Sequence, residues 1–292
     1  MTEESSTTNE EPTPESLLAD LKTELGDECQ NVSDDHLLMF LYWKPSIDRA
    51  AERFREFVAW KKENEDDFGP TLLVSKDPEL ERLLLSEVMV APPNLTTKTG
   101  SPVLTGRMRN NDMTDGRTVD GVCRMAYYNL DNVLQRPETQ KQGVTVIHDL
   151  RGFDRFKNAR VEIAKRLVKG ALNVFPIKVN MVYFVDAPLV FIGFFTIVSF
   201  FIPKKIRERV RFICSFDEID VIDPNNLLQE MGGTLEWSSK EWVDEQKRLE
   251  EKGGNHKSLS TMGVVPGETN SAVGTGITAS ETEAASIEQD EC

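Results

Sequence analysis

The chain holds little material for acid–base or metal chemistry. Of its three histidines, His36, His148 and His256, His148 stands beside Asp149 in an apolar, strand-like run. Neighbouring residues on a strand project to opposite faces, so this pair does not meet over one substrate. The four cysteines, Cys29, Cys123, Cys214 and Cys292, include no pair at the close spacing of zinc or dithiol redox sites. They read as structural thiols of a reducing compartment. No GxGxxG or Walker loop occurs. These residues argue against an enzyme, and no cofactor and no metal are expected. What remains is charge and apolar surface.

The formal charge of −15 over 292 residues is unevenly placed. Residues 1–30 carry a net −8 and residues 253–292 a net −5, which leaves the body at −2. Within that body, residues 151–211 hold 13 basic and four acidic side chains, a net +9. A basic segment in a nearly neutral body calls for an anionic partner. Nucleic acid is the weaker choice, because the segment surrounds an apolar run rather than interleaved aromatics on a sheet face. A lipid headgroup suits it better.

The elements that must position these charges follow from periodicity. Ile47, Ala50, Ala51, Phe54, Phe57 and Val58 recur at three- and four-residue spacing after Pro45 and Ser46, predicting an amphipathic helix that ends before Asp66. A second helix is predicted over 78–88, then a loop marked by Pro92, Pro93 and Gly100. Beyond it the pattern gives a short strand at 102–104, a helix over 119–134 and a buried strand at 143–147. A helix with Val161, Ala164, Val168, Ala171, Leu172 and Phe175 on one stripe stops at Pro176. Strands at 181–185 and 211–213 flank an apolar helix. Strand and helix in alternation predict an α/β sheet with parallel crossovers.

The tails are too polar to offset their ordering entropy, so disorder is expected in most of the acidic segment 1–30 and in 253–292, which leaves a globular unit of about 17–252. They are the segments through which protein partners would act. The start MTEESSTTNEEPTPES has neither a basic opening nor an apolar run, no glycine follows Met1, and no prenylation box closes the chain. A cytoplasmic protein without a lipid anchor is the expectation. The most hydrophobic stretch, 189–202 (LVFIGFFTIVSFFI), is 14 residues long and bounded by Pro188 and by Pro203, Lys204 and Lys205. A spanning helix takes about 20 apolar residues. Two readings of this stretch stand: a helix of the core, or a helix that walls a lipid pocket and meets a membrane with its lysines at the rim.

Three segments, in order, resemble the CRAL-TRIO family of lipid-binding and lipid-transfer proteins. They are LLMFLYWKPSIDRAAERFREFVAWKKEN (37–64), ETQKQGVTVIHDLRGF (138–153), and FPIKVNMVYFVDAP with the apolar helix, KKIRERVRF and the closing LLQEMGG (175–233). The third is most similar to the branch containing the α-tocopherol transfer protein and the cellular retinaldehyde-binding protein. The resemblance implies a helical lobe over 31–90, then a lipid-binding domain over 91–252, in which a mostly parallel sheet flanked by helices encloses a lipid pocket behind a gate helix.

By the same resemblance Val144, Val146, Val182 and Phe184 belong to the pocket floor, and Phe191, Phe194, Phe195 and Val198 to the gate. Lys44, Lys178, Lys205 and Arg209 match the branch's phosphoinositide groove, with Arg207 added to offset Asn180, which stands where an arginine is usual. The implied protein encloses a hydrophobic lipid ligand and docks reversibly on an anionic phosphoinositide membrane. The alternative is a CRAL-TRIO-like module that moves no lipid and serves as a protein-interaction scaffold. A filled pocket would mark the scaffold and a hollow one the carrier.

Overall fold

Caps and apolar stripes account for the helices of the N-terminal lobe. The computed structural model describes residues 12–253 and 258–263. Helix α1 (Leu18–Leu25) is followed by α2 (Asp34–Trp43), where the Ser33 side chain accepts from the His36 amide, and by α3 (Ile47–Glu63). Helix α4 (Pro78–Leu85) starts with Asp77 as its cap and proline at its first position, the place where a missing N–H costs nothing. Phe54, Phe57 and Trp60 of α3 are buried against Phe40, Phe68, Tyr127 and Phe175. Their rings meet mostly edge to face, at centroid distances such as 5.5 Å for Phe40–Phe54 and 5.6 Å for Phe57–Phe175.

The second part is built on a five-stranded sheet in the order β1-β2-β3-β4-β5. Strand β1 (Met89–Val90) pairs antiparallel with β2 (Val103–Arg107). Helices α5 (Val119–Leu134) and α6 (Pro137–Gln142) lead to β3 (Val144–Asp149). Helices α7 (Arg155–Asn158) and α8 (Val161–Leu167), the latter running into a π-helical turn at Val168–Leu172, lead to β4 (Val179–Val185). Helix α9 (Leu189–Ser199) and the short α10 (Lys204–Arg207) cross to β5 (Val210–Ile213), and α11 (Ser239–Glu251) follows. All pairings from β2 to β5 are parallel, which makes the α/β sheet mostly parallel, as the strand and helix alternation predicts.

Gly143 sets the entry to β3. Its φ of +79° suits only glycine, and a Cβ there would meet Lys178 O at 2.5 Å. Along β3 and β4 the faces alternate. Ile147, Tyr183 and Val185 pack with Leu227, Leu228 and Met231 in a core on one side, while Val182 and Phe184 face α9 on the other.

Two parts of the acidic tails are ordered here. Within 1–30, α1 buries Leu21 and Leu25, an i, i+4 pair, against the lobe. Acid-rich composition hides that stripe, and Arg55 of α3 meets the acids through Glu24 and Glu28. Within 253–292, residues 258–263 return to the lobe with Leu259 and Met262 buried. Their backbone is held by side chains far away in the chain: Asp131 Oδ1 accepts from the Leu259 amide at 2.8 Å, Lys61 Nζ donates to Met262 O at 2.6 Å, and His36 Nε2 lies 3.2 Å from Ser258 O. The remaining tail residues, 1–11, 254–257 and 264–292, lie outside the described residues.

Candidate functional site

Beneath α9 lies a cavity of about 250 Å³. Its floor includes Val146, His148, Val182 and Phe184 from β3 and β4, and its roof Phe191, Phe194, Phe195 and Val198 from α9. Helix α8 supplies Ile163, Ala164 and Leu167, and α5 supplies Val122, Met125 and Ala126. Register brings the floor together: Val146 stands beside Val182, and His148 beside Phe184. Val144, the remaining pocket residue expected from the sequence, is not part of this lining. It sits one turn of the pleat earlier, packed in solid core and hydrogen-bonded through its amide to Lys178 O.

The His148–Asp149 pair divides between the two faces, as alternation requires. Asp149 is fully buried and gathers Arg109 and Arg151, the latter at 2.9 Å. Burial pulls its carboxyl upward, but the hydrogen bonds from Arg151 and Arg109 prevail and hold it below the usual carboxylate value. It is a clamp between strand and loop. His148 instead faces the cavity, and burial drives its ring down to about 4, so it is neutral at physiological pH.

Helix α9 is apolar on its outer side as well. Phe191 and Val198 are buried inward, whereas Leu189 is 86% exposed, Phe200 79% and Ile197 53%. Its polar groups Thr196 and Ser199 bond back to carbonyls of their own helix at Ile192 and Thr196. At its ends the chain passes through Asp186, whose φ of +52° is rare for a residue with a Cβ, and through Pro188 and Pro203. Among the described residues no helix is long and apolar enough to cross a membrane.

A second concavity of about 300 Å³ adjoins the first, sharing Leu172, Val179 and Ile206 as walls. Lys44, Lys178, Lys205 and Arg209 converge on it from the end of α2, the start of β4, α10 and the turn before β5. Burial first, then repulsion from Arg53, Lys205, Arg49 and Lys178, lowers the pKa of Lys44, and burial with Lys205 lowers that of Lys178. Arg209 donates to Val179 O and so has a structural duty too. No acid forms an ion pair with Lys44, Lys178, Lys205 or Arg209 among the described residues. Arg207 is outside the groove: one position along the short α10 turns its side chain to solvent. The groove has instead a cation that sequence reasoning missed, Arg53 of α3, which sits with its guanidinium 5.5 Å from the Trp43 ring. The i, i+4 spacing from Arg49 marks both as one face of a helix, and only the tertiary contact of Arg53, which donates to Asn173 O in the turn before β4, tells which faces the groove.

Residues 90–233 match the CRAL/TRIO domain family. An α-tocopherol transfer protein-like protein of Mus musculus is 31% identical over 117 residues, 38% of this chain and 34% of that protein. Tyrosine-protein phosphatase non-receptor type 9 of Homo sapiens is 25% identical over 121 residues, which are 20% of its length. The chain thus spans about a third and a fifth of these two relatives. A CRAL-TRIO domain-containing protein of Dictyostelium discoideum is 23% identical over 213 residues, 71% of this chain and 81% of that one. The crystal structure of Sfh5 superposes with a TM-score of 0.53 at 14% identity, covering 75% of this chain and 81% of Sfh5, which is a likeness of fold. With the parallel sheet, the crossover helix and the match from β1 onward, residues 90–233 form a CRAL/TRIO domain, of a family that binds lipophilic ligands.

Proposed function

We propose that this protein is a carrier, not an enzyme, which encloses a lipophilic molecule in the cavity beneath α9 and docks reversibly on anionic, phosphoinositide-containing membranes through the groove of Lys44, Lys178, Lys205 and Arg209. One observation carries the reading: α9 is apolar on both sides, with one side on the cavity and the other in solvent. A contiguous exposed apolar surface marks a place where a protein meets a partner or a membrane. The hollow floor also favours a carrier over the scaffold alternative.

Enclosure is what the physics of transport demands. Each methylene left in water costs about 0.8 kcal/mol, so a cargo must be covered between membranes. The volume of about 250 Å³ lies just below the ~300–1,000 Å³ usual for ligand sites. A long cargo then requires α9 to move outward, with Asp186 to Pro188 and Phe200 to Pro203 as the flexing ends. The outer face of α9 loses its solvent exposure when it enters a bilayer, so contact with the membrane favours the open state. Lys205 and Ile206 of α10 follow α9 in the chain, and the groove shares walls with the cavity, so a headgroup held there sits next to the moving element. The protein that results is cytoplasmic, with a membrane-bound phase in its cycle.

The test is sedimentation with vesicles that contain or lack a phosphoinositide. Lys178→Glu with Lys205→Glu reverses two groove charges that make no side-chain hydrogen bond among the described residues. At roughly 1 kcal/mol per charge near an anionic surface, binding is expected to weaken by about tenfold or more. Equal binding of wild type to both vesicle types rejects the phosphoinositide groove. A protein that binds no lipid from an extract rejects the carrier.

A further inference from the structure

The cavity wall is apolar apart from His148, Asn111, Asn158 and Arg160. Three of these are already engaged. Asn111 donates to Asn158 O at 3.2 Å and accepts from Arg117 at 3.4 Å. Asn158 donates to Arg109 O and Asn111 O and accepts from the Asp154 amide. Arg160 donates to Phe156 O and Ala159 O, each at 2.9 Å. His148 is different. Its Nδ1 is enclosed without a hydrogen-bond partner, and among the described residues Nε2 has none either. The surface that the ring leaves accessible belongs to the cavity.

The imidazole is also held in place. It stacks on Phe184 with centroids 5.1 Å apart and planes at 18°. On the neighbouring strand stands Gly106, where a Cβ would lie 2.7 Å from Nδ1, so the absence of a side chain there gives the ring its room. Nδ1 is thereby closed off, and Nε2 is the nitrogen left toward the cavity. A buried polar group with no partner is a standing cost that a phenylalanine at the same position would avoid. Such a group repays its cost when a ligand supplies the missing hydrogen bond.

We propose that the cargo carries one uncharged hydroxyl group and that His148 is the residue that hydrogen-bonds it and selects for it. The proposal rests on the carrier reading above and narrows it. A hydroxyl both donates and accepts, so it satisfies Nε2 in either tautomer of the ring. A neutral imidazole provides no countercharge for a carboxylate, which sets the expected cargo apart from a fatty acid.

Decan-1-ol, undecane and decanoate, nearly equal in length, test this on the full chain by calorimetry at neutral pH. Wild type is expected to bind decan-1-ol about tenfold more tightly than undecane, the effect of one buried hydrogen bond. His148→Phe should abolish that preference, bringing the affinities for decan-1-ol and undecane level. In wild type labelled with ¹⁵N-histidine, decan-1-ol should shift the Nε2 resonance of His148 and leave His36 and His256 alone, and undecane should not shift it. This readout decides the matter if the variant does not fold. Equal binding of alcohol and alkane, a preference that survives His148→Phe, an unmoved His148 resonance, or tighter binding of decanoate would each overturn the role of His148 and leave the carrier standing. Failure of all three probes to bind wild type would overturn the carrier reading and this one with it.

Discussion

The protein contains two aromatic clusters of similar composition and opposite character. Where the helical lobe meets α5 and the turn before β4, Phe40, Phe54, Phe57, Trp60, Phe68, Tyr127 and Phe175 pack ring against ring, with Phe57 and Phe68 wholly buried. Under α9, Phe184, Phe191, Phe194 and Phe195 also touch ring to ring, with Phe184 and Phe195 at 5.1 Å, yet they bound a void. The difference is not in the rings but in the helices that carry them. Helix α3 has a charged outer face, with Arg49, Glu52, Arg55 and Glu56, which fixes its position between core and water. Helix α9 has no such face and gains little from one position over another. A cluster clamped by an amphipathic helix is a core, and one roofed by a helix that is apolar all round is a compartment with a movable wall.

The polar groups buried in the two regions differ in the same sense. On α5 Asp131 is held by Ser258 Oγ and the Leu259 amide, whereas His148 in the cavity has no hydrogen-bond partner among the described residues. The acid in the solid region is satisfied by groups of the protein itself.

The largest expected effect comes from truncating a ring in each cluster. Phe57→Ala should cost about 3–5 kcal/mol, because a filled core cannot collapse around the gap. Phe195→Ala, next to an existing void and partly exposed, should cost less than half as much, as read from urea midpoints. Similar losses would show that the cavity is as stiff as the core.

Next is the pH dependence of the contact between α5 and residues 258–263. Burial raises Asp131 from an ordinary 3.8 to about 6, so the folded state holds the proton more tightly than the unfolded chain. Its stabilising contribution is full below pH 3.8 and is lost as pH rises through 6, on the order of 3 kcal/mol in all. Asp131→Asn should therefore flatten the stability profile between about pH 4 and 6, and an unchanged profile by thermal melts would show that the site titrates normally. The smallest effect on stability, near zero, is expected of Leu189→Glu with Phe200→Glu on the exposed side of α9. The same double variant should lose vesicle binding, and a falling melting temperature would place these side chains in a core instead.

Much of the fold was legible because it is encoded locally. The stripe from Ile47 to Val58 reads as α3, and the runs at 143–147 and 181–185 read as buried strands, with the alternation of a strand putting His148 and Asp149 on opposite faces; the structure extends them to Val144–Asp149 and Val179–Val185 and pairs them. The site was legible only in part. Lys178 and Lys205 are visible as cations in a basic segment, but that Arg53 joins them and Arg207 does not depends on the direction that α3 and α10 each present. Strand β1, two residues long, has no period to read.

By itself, then, the sequence determined the longer elements from α3 to β5, their order and the apolar character of α9 throughout, since periods of two and 3.6 residues and proline breaks act within a few residues of chain. Only the tertiary structure decided which side chains converge: the return of Ser258 to Asp131 across 127 positions, the Val144 that packs in solid core while Val146 borders a void, and the histidine left without a partner. Convergence depends on packing between distant segments, and a void or an unmet hydrogen bond is a property of the space between them rather than of any residue in the chain.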